Sequence, residues 1–199
     1  MKRRCFDICT ALRGLCDDIS RRHPEYRHVD MSRVAVTYAQ TRSPVEWGMQ
    51  AKLTPMRFEG GALTCIRDGR RWGAQRLYQD GEEMLYILTF YLPRFLNLSY
   101  DEKLVTVFHE LFHISPAFDG DIRRFAGACY MHTGSQAEYD RQMAVHAKQY
   151  LSQLPTDRHP KYLQHDFAGL RRHYGEVVGL RLAVPRLIPL DGNDAAQAG

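Results

Sequence analysis

Apolar residues recur at helical spacing almost from the start of the chain. Phe6, Ile8, Cys9, Leu12, Leu15, Cys16 and Ile19 share one face, which predicts a helix over 4–22 that Pro24 ends. The period then switches to two. Val34, Val36 and Tyr38 alternate with Arg33, Ala35 and Thr37, predicting a strand over 32–41. Residues 49–58 form a second candidate strand, in which Pro55 marks an edge or a bend. Gly60-Gly61 and Asp68-Gly69 are turn signals around a third, 62–67, and 71–78 carries the pattern less regularly. Residues 84–92 are apolar and aromatic almost throughout, follow Asp80-Gly81 and stop at Pro93, so they predict a buried strand.

The second half is mainly helical. Ser99 followed three residues later by Glu102 is a capping box, in which each side chain covers an orphan backbone N–H. The helix it opens carries Leu104, Val105, Phe108, Leu111 and Phe112, apolar on most sides and therefore central. Pro116 cannot lie far inside it, and 115–134 is expected to be irregular, turning at Asp119-Gly120. A second capping box, Ser135 with Glu138, opens a helix to Leu154 whose inner stripe is Tyr139, Met143, His146 and Tyr150. Residues 155–175 are polar and rich in histidine, without a clear period. Residues 177–190 predict a late strand or extended arm limited by Pro185 and Pro189, and 191–199 a disordered tail.

Length and composition narrow the class. At 199 residues, 44% hydrophobic and 25% charged, the chain fits one globular α+β domain over 1–190. Its longest apolar stretch is broken by Pro93 and Arg94 and falls short of the roughly 20 residues of a membrane span. Asp7, Arg13, Asp17 and Asp18 interrupt the start, so no export signal is visible and the expected location is the cytoplasm. Five cysteines, an odd number, read as free thiols in a reducing compartment. Cys5, Cys9 and Cys16 share a face of the first predicted helix, as small core residues or as a cluster site. The net charge of +4 includes recurring arginine pairs, at Arg3-Arg4, Arg21-Arg22, Arg70-Arg71, Arg123-Arg124 and Arg171-Arg172. Gathered on one face they would bind nucleic acid; scattered, they are solvated charge.

The chemistry concentrates in His109-Glu110-Leu111-Phe112-His113. Histidines four apart lie one turn apart on one helix face, so both imidazoles can reach a single metal ion. Glu110, offset from that line, can take a proton from a water that the metal acidifies. A hydrolytic zinc site needs a third protein ligand and an open position. His132, at the entrance of the next helix, is the favoured candidate. Asp119 has the spacing of the compact HExxHxxGxx(H/D) site, but Pro116 stands where that site turns on glycine. Glu138 and Asp140 lie on the next helix, where another class of zinc peptidases supplies a glutamate. His146 sits on an apolar stripe and reads as a core histidine. His159, His165, His173 and the other histidines are expected at the surface. Asp119 and Asp121 either orient the histidines or close a turn with Arg123 or Arg124. Tyr130 and Tyr139 are candidate oxyanion donors or packed aromatics.

The run from His109 through Ser115-Pro116, then Phe118-Asp119-Gly120-Asp121-Ile122-Arg123-Arg124-Phe125, then His132, resembles a family of zinc metallopeptidases of bacteria, archaea and phage. That family is similar in outline to SprT-like proteases. The resemblance covers roughly 84–145. It departs from SprT-like proteases in the Phe118–Phe125 insert and in lacking a ribbon of paired cysteines. It implies a zincin-like fold, one zinc ion on His109, His113 and His132, and Glu110 as general base. The expected architecture is an N-terminal helix and a small mixed sheet over the HExxH helix. Residues 84–92 are expected as the edge strand on which an extended peptide pairs. The expected activity is peptide-bond hydrolysis on a peptide or protein substrate. The alternative is a nucleic-acid-associated protein with a closed structural zinc and no turnover, which a fourth protein ligand would mark.

Overall fold

A computed structural model describes residues 5–41, 48–124 and 136–190. The chain opens with a short strand β1 (Cys5–Asp7) and only then enters α1 (Ile8–Arg22). The helix starts later than its apolar period suggests because Asp7 is its cap, accepting from the Thr10 N–H at 2.9 Å. Cys9 and Cys16 are buried among Ile8, Leu12, Leu15 and Ile19, as small core residues. Cys5, outside the helix, is exposed, so the three cysteines do not share a helix face. His23 and Pro24 terminate the helix as predicted.

There follow β2 (Val34–Gln40), β3 (Ala51–Pro55), β4 (Thr64–Arg67), β5 (Arg70–Ala74), β6 (Tyr78–Gln79), β7 (Glu82–Glu83) and β8 (Tyr86–Leu92). A short α2 (Arg94–Asn97) leads to α3 (Tyr100–Phe112), and α4 (Gln136–Ser152), α5 (Phe167–Tyr174), β9 (Glu176–Val178) and β10 (Leu187–Pro189) complete the chain. The fold class is mixed α+β. β9 pairs with β1 in parallel, and β10 joins the β4–β5 hairpin. None of the helices described is long and apolar enough to cross a membrane.

The sheet that matters is ordered β2–β8–β3, with β2 parallel and β3 antiparallel to β8. This corrects the expected edge: 84–92 supplies the centre, not the rim. A strand apolar on both faces belongs in the middle, where both faces are covered. The rim is β3, whose Pro55 and exposed Lys52 suit an edge. Below the sheet, α1, α3 and α4 bury one core that includes Leu12, Leu88, Phe90, Leu104, Phe108, Met143 and Tyr150. The capping box of α3 forms as predicted: Ser99 Oγ accepts from Glu102 N–H at 3.3 Å and Glu102 Oε2 from Ser99 N–H at 2.8 Å. Ser135, the predicted cap of α4, lies outside the described residues.

Candidate active site

His109 lies in the last turn of α3 and His113 is its C-cap. His113 keeps right-handed helical geometry (φ −68°, ψ −16°), so the one-turn relation of the two rings survives the helix end. The ring centroids are 4.8 Å apart in an edge-to-face arrangement. Tyr139, from the inner stripe of α4, stacks on His113 at 5.7 Å and meets His109 edge-on at 4.7 Å. Its packing against both imidazoles fixes their rotamers, and burial pushes its hydroxyl pKa up, so it stays a neutral donor. Of the two readings of Tyr139, packed aromatic describes its ring.

Asp140, one residue on, brings Oδ1 to 3.4 Å from Nδ1 of His109. A carboxylate at Nδ1 holds the proton there and leaves Nε2 as the lone-pair nitrogen, the arrangement metal-bound histidines use. Asp140 therefore sits behind His109, and Glu138 points away into an exposed ion pair with Arg141.

Glu110 is the group whose place the sequence did not reveal. Its carboxylate is 9% exposed and accepts from the Leu53 N–H at 2.6 Å. The β3–β8 ladder explains the contact. Gln50 and Met56 bond to β8, so the backbone groups of even-numbered residues pair with β8 and Leu53 points its N–H to the free edge. Burial pushes the Glu110 carboxyl up to about 7, partly opposed by the Leu53 N–H and the positive field of Lys52. A carboxyl poised there can take and return a proton near neutral pH.

The segment after α3 folds back on the helix end. Ile114 and Ile122 form a bridge, Ser115 N–H donates to Asp121 O at 3.2 Å, and Arg123 N–H donates to His113 O at 2.7 Å. Arg123 Nε donates to Phe112 O at 2.8 Å and its guanidinium lies 4.0 Å from the Phe112 ring centre. These bonds satisfy carbonyls that the helix end leaves open and set a cation at the negative end of its dipole. Pro116 does not make the left-handed turn; Phe118 (φ 50°) and Gly120 (φ 89°) do. A Cβ at Gly120 would lie 2.5 Å from Arg57 Cγ, so only glycine fits.

Asp119 spends Oδ1 on the Asp121 N–H, and Asp121 pairs with Arg124 at 3.0 Å while accepting from Gly60 and Ile122. Both are turn residues, which answers the choice left open between turn closure and histidine orientation. His132, Tyr130 and Cys129 lie outside the described residues, as does the tail 191–199. His146 is a core histidine, bonded to the Tyr26 hydroxyl at 2.9 Å. His23, expected at the surface, is instead buried, and His28 is half-buried against Ile114 and Arg123. Neither carried a signal, since both lie between elements where no period exists. Arg3-Arg4 lies outside the described residues; the other arginine pairs are spread over α1, β5, the site loop and α5, with Arg21, Arg22 and Arg124 each facing an aspartate.

Compared with protein-family models, curated proteins and solved structures, the chain matches none. The donor chemistry is thus the ground for a metal here. Among the described residues no group of three donors gathers that could hold a metal ion; the donors of the right chemistry for zinc are two imidazoles on one helix face, with a carboxylate behind one of them.

Proposed function

We propose that the protein is a zinc-dependent peptide hydrolase with a zincin-like fold. One observation carries the reading: the HExxH glutamate is buried, raised toward neutrality and hydrogen-bonded to the free edge of an antiparallel rim strand. A pair of structural histidines needs none of this. Zinc, held by His109 and His113 with His132 as the third ligand, would polarise the scissile carbonyl and acidify a water. The rest falls to the chain. The outward backbone groups of Ala51 and the Leu53 carbonyl pair with an extended substrate and set its scissile bond over α3, while the Leu53 N–H holds Glu110. Glu110 takes the proton of the attacking water and delivers it to the leaving amine. Asp140 holds the tautomer of His109, Tyr139 locks both rings, and Arg123 fixes the helix end that carries His113. The buried thiols Cys9 and Cys16 suit a reducing cytoplasm.

The test is cleavage of an unstructured protein, read by mass spectrometry, by zinc-loaded wild type and Glu110→Gln. The variant keeps size and loses the proton acceptor. Turnover should fall by about 10²- to 10⁴-fold while metal content and fold are unchanged. Equal cleavage by both removes Glu110 from the mechanism.

A further inference from the structure

Beside the candidate site, a cleft of about 890 Å³ runs between the outer face of β3 and the β10–β5–β4 sheet. Lys52 and Thr54 form its floor, Arg67 and Arg186 its far wall, and Asp121 and Arg124 its end toward α3. Its charge is mainly positive: Lys52, Arg57, Arg67, Arg124 and Arg186 line it against the carboxylates Glu59 and Asp121. Arg57 is held by Glu83 and Arg124 by Asp121. Lys52, Arg67 and Arg186 are exposed and form no ion pair with a carboxylate among the described residues. Three cations thus line a groove along the outer face of β3, the strand whose Leu53 N–H holds Glu110.

The geometry connects this groove to β3. Side chains of a strand alternate between faces, and Leu53 points into the core while Lys52 and Thr54 point into the cleft. An extended chain added to the edge of β3 would follow the same alternation. Every second side chain would stand over Lys52 and Thr54, opposite Arg67 and Arg186. We propose that this cleft selects acidic side chains at alternate positions of the polypeptide substrate, with Lys52, Arg67 and Arg186 as the specificity-determining residues. The inference rests on the peptide-hydrolase reading and names the substrate class. Partly exposed ion pairs are each worth a few-fold in affinity and weaken with salt, so three together give about 10-fold or more at low ionic strength.

The experiment separates this claim from the activity on which it rests. Zinc-loaded Glu110→Gln protein is titrated with fluorescein-labelled decapeptides in which every second residue is glutamate, serine or lysine, and with a labelled oligothymidylate. The glutamate peptide should bind about 10-fold or more tightly than the serine peptide, with the difference lost at high salt. Adding Lys52→Glu, Arg67→Glu and Arg186→Glu should move the preference to the lysine peptide. Lys52→Gln with Arg67→Gln should erase it without reversal, and serves if the triple reversal does not fold. Wild-type cleavage of the same peptides should show the preference mainly in KM. Equal binding of all three peptides overturns the proposal, and so does oligothymidylate binding more tightly than the glutamate peptide. Cleavage without charge preference sinks the cleft and spares the hydrolase. Charge-selective binding with no cleavage of any peptide does the reverse.

Discussion

Among the described residues, His23–His146 and His109–His113 have the same separation of ring centroids, 4.8 Å. His23 and His146 are buried side by side beneath α3, His23 bonded to Gln149 at 3.2 Å and His146 to Tyr26 at 2.9 Å. Phe108 closes the pocket edge-on. Burial lowers the pKa of both against the opposing field of Glu25, and no carboxylate hydrogen-bonds either ring among the described residues. His109 and His113 have Asp140 behind one ring, Glu110 beside them and a rim strand within reach of Glu110. Proximity of imidazoles therefore does not define a site. What separates the pairs is acid: carboxylates that orient a ring or move a proton stand at one pair and are missing from the other.

The comparison can be broken by exchange of roles. Tyr26 is fully buried between His146 and Phe108, so Tyr26→Ala should cost about 3–5 kcal/mol in denaturant unfolding. Zinc content and residual turnover at low temperature should stay the same. Loss of zinc from that variant before unfolding would mean that the core pair supports the metal. Asp140→Asn should leave stability nearly unchanged, since its carboxylate is partly exposed, and weaken zinc binding by about 10- to 100-fold. Unchanged zinc affinity would remove Asp140 from the site.

The smallest effect sharpens the pairs by pH. His23 and His146 have pKa values below the ordinary 6.5 in the folded chain. The unfolded chain therefore binds more protons just below that pH, and stability falls as pH drops through 6.5. The loss continues down to the folded-state values and then levels off. His146→Gln should flatten this part of the stability profile measured by thermal melting. A profile as steep as wild type would assign the loss to other groups.

How much of this was legible differed by region. The capping box of α3, the inner stripe of α4 and the core face of α1 were readable because helical period and cap chemistry are local. The register of the site was not. That β3 rather than β8 forms the rim depends on pairing between residues far apart in sequence, although Pro55 and the nearly continuous apolarity of 86–92 pointed that way. β1 and β9 are three residues each, too short to show a period. The HExxH spacing placed the two histidines on one helix face, but Leu53 as the partner of Glu110 and Asp140 behind His109 arise only when α3, α4 and β3 converge.

The central claim, that one histidine pair binds metal and the other does not, has a direct measurement. Zinc content by elemental analysis is compared among wild type, a His109→Ala/His113→Ala variant and a His23→Gln/His146→Gln variant, each after dialysis against a weak chelator. The account predicts about one zinc per chain in wild type and in the core-pair variant, and none in the site-pair variant. Full zinc in the His109→Ala/His113→Ala protein would contradict it.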